Sequence, residues 1–221
     1  MGVADLVVPV WCPGCGQAGV SLCQNCALGL TIWFRAEDNA ASLPPGLPVW
    51  ACGSYAHENA RIIMAWKSGH RPDLAPVLHR LGQHLGQGIY PQLDTRKIVV
   101  VPAPSGWRRS VRGEEVVAPF AHAVASGITK VGGQAQVISI LRRRGRGQKR
   151  LSQRGRRTRR RGSLRAKRRS VAFVRDTQVL LVDDVLTTGA TLGECVKVLS
   201  PFAPVIGAIV LAATPNPVIH R

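Results

Sequence analysis

Val179-Leu180-Leu181-Val182-Asp183-Asp184-Val185-Leu186-Thr187-Thr188-Gly189-Ala190-Thr191-Leu192 is the stretch on which the fold turns. A run of branched apolar residues bounded by a turn signal reads as a buried strand of a parallel sheet. The strand is expected to end at Asp183 and Asp184. The turn at Thr187–Thr191 then opens a helix expected to run to about Leu199. Backbone N–H groups at a helix start are unsatisfied and carry the positive end of the macrodipole, so they can hold a phosphate. Gly189 allows close backbone approach, and three threonine hydroxyls add donors. Carboxylates beside such a cradle repel an anion unless something offsets them. Ribose hydroxyls, which donate to carboxylates, or a magnesium ion would do so. The pattern suits a phosphorylated sugar better than a bare anion.

At 221 residues the chain holds one ordinary domain and a small appendage. No apolar run reaches the length of a membrane span. The N-terminus lacks a basic region followed by a long apolar core, so no secretory leader is expected. With six cysteines, this favours a reducing, cytoplasmic setting and no membrane insertion. The formal net charge of +18 is concentrated in one place. Residues 142–169 carry sixteen of the thirty Lys and Arg and no acid, leaving fourteen bases against twelve acids elsewhere. The protein is nearly neutral apart from one cationic segment.

Cys12-Pro-Gly-Cys15 and Cys23-Gln-Asn-Cys26 form two knuckles seven residues apart. Four thiolates so spaced can surround one tetrahedral Zn²⁺, and a full cysteine set leaves no open position, so the metal's role would be structural. Two disulfides or four free thiols are the alternatives. Gly14-Cys15-Gly16-Gln17-Ala18-Gly19 matches the dinucleotide-binding glycine pattern, but it has no strand before it and no helix after it.

Residues 35–48 read as a linker between this segment, 1–34, and a larger domain, 49–221. Helices are expected over Asn59–Lys67, Leu74–Gly88 and Glu114–Ser126. Strands are expected over Val49–Tyr55, Lys97–Val101, Val137–Leu141 and Val205–Ala212. Strands alternating with helices point to an α/β fold with an open parallel sheet. The Lys97–Val101 strand leads into Pro102-Ala103-Pro104-Ser105, where open sheets place ligands. Arg108 and Arg109 follow, a cationic cluster able to meet a pyrophosphate.

The Val179–Leu192 stretch resembles the phosphoribosyl pyrophosphate (PRPP) motif of type I phosphoribosyltransferases. The resemblance implies that Asp183 and Asp184 contact the ribose 2′ and 3′ hydroxyls. It implies that Thr187, Thr188, Gly189, Ala190 and Thr191 hold the 5′-phosphate. The ordered set of four cysteines, Trp66-Lys67-x-Gly69, Val101-Pro102-Ala103-Pro104, Gln148–Ser152 and the PRPP motif is similar to the ComF family. Its members have a phosphoribosyltransferase fold and are associated with competence for DNA uptake. Two stretches depart from that pattern: Glu114-Glu115-Val116 and Gly155–Arg159. Membership implies binding of Mg²⁺–PRPP, with Mg²⁺ arriving on the pyrophosphate, and possible partners in the competence machinery. Ala103, Pro104, Ser105, Arg108 and Arg109 would meet the pyrophosphate. Lys149, Arg150 and Arg156 would be the loop cations brought to it. The 142–169 segment is open to a second reading, contact with DNA phosphates. It contains no aromatic residue for base stacking.

Overall fold

The computed structural model describes residues 10–31, 33–36, 40–69, 71–104, 116–143 and 164–215. A short helix, α1 (Gln24–Leu28), lies within the cysteine segment. Strands β1 (Phe34–Arg35) and β2 (Val49–Ala51) follow, then helices α2 (His57–Lys67) and α3 (Ala75–Ile89). Next come β3 (Lys97–Pro102), α4 (Val117–Lys130), β4 (Gln134–Val137), β5 (Leu141–Arg143) and β6 (Leu164–Ala166). The chain closes with β7 (Gln178–Leu186), α5 (Ala190–Leu199) and β8 (Val205–Ala213).

Six strands form one sheet in the order β1-β2-β8-β7-β3-β4. All neighbours run parallel except β1, which pairs antiparallel with β2 at the edge. Helices cover both faces, as the alternation of strands and helices predicts. β7 lies between β3 and β8, and its residues 179–182 have no exposed surface. Its alternation feeds two cores. Leu180 and Val182 pack with the α2, α3 and α4 side, while Val179 and Leu181 pack with the α5 side.

The α3–α4 contact shows how local sequence sets a close crossing. Leu78, Leu81, Leu85 and Ile89 recur at helical spacing and are buried. Gly82 and Gly86 lie among them. A Cβ on Gly86 would collide with the Val124 carbonyl, and one on Gly127 with the Gln83 carbonyl. Glycine at these positions lets the two backbones touch.

Several boundaries differ from the sequence reading. β7 continues through Asp183 and Asp184 to Leu186, because β8 keeps pace with it and pairs Val185 with Ala212 and Leu186 with Ala213. The apolar run at 137–141 is not one strand. β4 ends at Val137, β5 begins at Leu141, and the chain between them leaves the main sheet. The first helix begins two residues earlier than expected, at His57, and the third begins at Val117.

The stretch read as a linker is packed where it is described. Ala36, Ala40 and Leu47 are buried in the α5-side core. The cysteine segment is likewise continuous with the opposite core, where Cys12, Cys23 and Cys26 share a cluster with Ile62, Trp66 and Leu74. Among the described residues no helix is long and apolar enough to cross a membrane.

Candidate functional site

The carboxyl end of β7 carries the site. Asp183 lines a cavity of about 420 Å³ together with Arg143, Glu194 and the whole turn from Thr187 to Thr191. Thr187 and Thr188 are exposed and Gly189 is buried. Gly189 stands at the N-cap of α5 with φ 72°, a left-handed backbone that disfavours any side chain. A Cβ there would also strike Ala40 and Leu43 at 2.8 Å. One helical turn on, a Cβ at Gly193 would run into the Ser42 carbonyl. The Ser42 N–H donates to the Thr188 carbonyl at 3.1 Å. The 40–43 stretch therefore buttresses the turn from behind, leaving its threonines facing the cavity. The Thr188 hydroxyl accepts from the Ala190 N–H at 3.4 Å, a long local cap.

The two acids differ in surroundings. The Asp184 N–H donates to Asp183 Oδ1 at 2.8 Å, and the Val185 N–H donates to Asp184 Oδ1 at 2.7 Å. Asp184 Oδ2 lies 2.6 Å from Lys67 Nζ, at the last residue of α2. Burial, and after it the charge on Asp184, push the Asp183 carboxyl up to about 7. The Asp184 N–H, Lys67 and Arg143 oppose that rise.

The other wall is a separate two-stranded antiparallel ribbon, β5–β6. Its Arg143 Nε donates to the Pro104 carbonyl at 3.2 Å, tying the ribbon to the end of β3. On the far strand the Leu164 N–H donates to Glu194 Oε1 at 2.8 Å. Ala103 is buried and anchored, its N–H donating to the Val182 carbonyl at 2.7 Å. Ala103 thus follows β3 next to Val182, the residue before the acids. Ser105, Arg108, Arg109, Lys149, Arg150 and Arg156 lie outside the described residues.

Sequence reasoning did not single out Arg143 or Glu194. Arg143 is hidden among sixteen similar cations. Glu194 has a signal in retrospect: it sits one turn beyond Ala190, on the same side of α5 as the phosphate turn. A larger cavity, about 480 Å³, opens on the opposite face, lined by Trp66, Leu78, His79 and Phe120 among others. Among the described residues its walls are mostly apolar and carry no acid, unlike the β7 site.

The four cysteines come together as their spacing predicts. The ligand atoms of Cys12, Cys15, Cys23 and Cys26 all lie within 4.8 Å of one another. The Cys12–Cys23 and Cys15–Cys23 sulfur separations are 3.8 and 3.6 Å. A tetrahedron with metal–sulfur bonds of about 2.3 Å has edges of roughly 3.8 Å, so the quartet fits one zinc ion. Burial of Cys12 would raise its thiol, but the N–H groups of Cys23, Cys15 and Gly14 pull it down to about 6. Burial and the neighbouring sulfurs push Cys26 far up. Sulfurs crowded this closely cannot all ionise without a cation among them. The segment is held to the body by arginines. Arg61 Nε donates to the Gly14 carbonyl at 2.7 Å. Arg71 spans the Trp11 and Ser21 carbonyls at 3.0 and 2.9 Å, braced by Asp73.

No protein-family model matches the chain, and no curated protein matches it. Among solved structures it is similar to an allosteric regulatory enzyme of purine biosynthesis, at 21% identity and TM-score 0.35 over 64% of this chain and 27% of that one. It is similar to glutamine PRPP amidotransferase from B. subtilis, at 19% identity and TM-score 0.39 over 67% of this chain and 30% of that one. It is also similar to a hypoxanthine phosphoribosyltransferase from Staphylococcus aureus, at 13% identity and TM-score 0.34 over 63% and 64%. The chain spans less than a third of the length of the first two.

The cysteine geometry gives a direct expectation. Protein purified without added metal should contain one zinc per chain, measured by elemental analysis. Cys26→Ser should lose it and lower the melting temperature by roughly 2–4 °C for each kcal/mol of stability lost, the scale for a chain of this size. Disulfides among the four, found by mass spectrometry of the freshly purified protein, would contradict the assignment.

Proposed function

We propose that the chain is a ComF-type phosphoribosyltransferase-like protein that binds Mg²⁺–PRPP, or a related phosphorylated ribose, at the end of β7. The observation that carries this reading is the placement of Asp183 across a cavity from the Thr187–Thr191 turn, with Gly189 opening α5. The turn offers donors to a 5′-phosphate, and the acids offer acceptors to the ribose hydroxyls. Mg²⁺ would ride on the pyrophosphate, and among the described residues the grouped metal-ligand side chains are the four cysteines, not acids at this cavity. Ala103 and Pro104 flank the place for that pyrophosphate, with Ser105, Arg108 and Arg109 following in sequence.

The chemistry that fits is phosphoribosyl transfer. The C1–O bond breaks with its electron pair leaving on pyrophosphate, and a lone pair of the acceptor forms the new bond to C1. Positive charge develops on the ribose as negative charge develops on the leaving group. Fixed carboxylates, Asp183 and Asp184, would favour the first, and cations on the opposite side the second. Lys149, Arg150 and Arg156 are the loop cations assigned there. The closed cysteine site has a structural role. The setting is cytoplasmic.

A second reading has its own observation. Arg142 and Arg165 are direct cross-strand partners in the β5–β6 ribbon, and both are exposed. Like charges placed opposite each other destabilise a ribbon, and a bound polyanion would relieve the cost. This favours a nucleic-acid-handling role in DNA uptake through 142–169. If it is real, log affinity for duplex DNA should fall against log salt with a slope of about −0.9 per phosphate contacted. Salt-independent binding would rule it out.

Asp183→Asn tests the main reading. Losing the charge-assisted acceptor should weaken Mg²⁺–PRPP binding by roughly ten- to a hundredfold in calorimetry, the worth of one such bond. The same change should help the fold at high pH. A carboxyl raised to about 7 costs stability progressively from about pH 4 and in full above 7. The variant should therefore melt with the parent at pH 4 and above it at pH 8. Unchanged PRPP affinity would sink the ribose assignment.

A further inference from the structure

We propose that Lys67 is a positioning residue for the β7 site: its ammonium holds the Asp184 carboxylate in place, and so sets how the two acids together meet a ribose diol. The proposal rests on the phosphoribosyl reading above. Three observations place Lys67 in this role. Its Nζ lies 2.6 Å from Asp184 Oδ2, with the two side chains only 23% and 15% exposed. Coulomb attraction at that depth is much stronger than on an open surface. The helix that delivers it is fixed: Ile62, Ile63 and Trp66 of α2 are buried. Asn59 of α2 also donates to the Gly29 carbonyl at 3.1 Å, alongside the Arg61 bond to Gly14. Lys67 is therefore presented from a rigid element rather than from a loop.

The local charge balance makes the cation matter. Two adjacent carboxylates repel, and only a few groups answer them. Lys67 reaches them from α2 and Arg143 from β5, while Glu194 and the buried Cys195 lie on α5. Arg143 also spends its Nε on the Pro104 carbonyl. Lys67 contacts Asp184 directly. Without it the Asp183 carboxyl, already raised to about 7, would rise further and lose acceptor capacity for a diol. A lysine acting only as a strut between α2 and β7 would affect stability but not Mg²⁺–PRPP affinity or its pH dependence.

The test separates the two. Carboxyl-¹³C aspartate resonances of the full chain are titrated by NMR in the parent, Lys67→Met and Lys67→Arg, with assignments from Asp183→Asn and Asp184→Asn. Lys67→Met keeps the aliphatic stem; if it fails to fold, Lys67→Gln takes its place. The charge-less variant should raise the apparent pKa of Asp183, by about one unit or more for the loss of a nearby opposite charge. Lys67→Arg should restore it. Mg²⁺–PRPP affinity of the charge-less variant should then fall about tenfold at pH 6.5 and recover at pH 8.5. An unchanged titration overturns the proposal, even if the melting temperature falls. Failure of the parent to bind Mg²⁺–PRPP would instead defeat the phosphoribosyl reading, while the titration still judges Lys67.

Discussion

Two adjacent carboxylates near the carboxyl end of a central strand, β7, are the constraint around which this molecule is arranged. Side by side and partly shielded from water, the two repel one another, and burial together with the Asp184 charge raises the Asp183 carboxyl. The surrounding elements supply the offset. α2 brings Lys67 to Asp184. β5 brings Arg143 to the Asp183 side, where it also grips the end of β3. Backbone N–H groups of Asp184 and Val185 donate to Oδ1 of Asp183 and of Asp184 respectively. A fold optimised for stability alone would place apolar residues here. Keeping two acids is a cost that a ligand with paired hydroxyls would repay.

The cysteine segment and the site are mechanically connected. α2 is gripped at one end by the knuckle, through Arg61 and the Gly14 carbonyl, and meets Asp184 at the other through Lys67. Cys12, Cys23 and Cys26 lie in the same core as Ile62 and Trp66. The segment is thus part of the wall that fixes the helix. On the other face the 40–43 stretch does the corresponding work, pressing against Gly189 and Gly193 so that the turn and α5 hold one geometry.

The sequence made some of this legible and hid the rest for physical reasons. The β7–turn–α5 unit was readable because branched apolar residues, adjacent acids and a glycine turn are contiguous. The cysteine quartet was readable because metal-ligand spacing is local. The Lys67–Asp184 contact joins residues far apart in the chain, and periodicity carries no information about such a pair. The 35–48 stretch looked like a linker because Ala and Pro resemble loop composition. Its burial depends on glycines in α5 that make room for it. The 137–141 run misled because apolar residues do not say which sheet they join. Ile140 is buried where the chain crosses from β4 to β5. The helix expected from Glu114 is described from Val117, its first residues lying outside the described ones.

The central claim is that the turn after β7 is a phosphate cradle and the acids beside it are the sugar's partners. Amide ¹⁵N–¹H spectra of the zinc-loaded chain, recorded while ribose 5-phosphate is added, test it most directly. The account predicts saturable shifts at Thr187, Thr188, Gly189, Ala190 and Thr191 and at Asp183 and Asp184, with the cysteine-segment amides unmoved. Inorganic phosphate should move the turn but leave the acids nearly still. Shifts confined to other surfaces, or none at millimolar ligand, would contradict it.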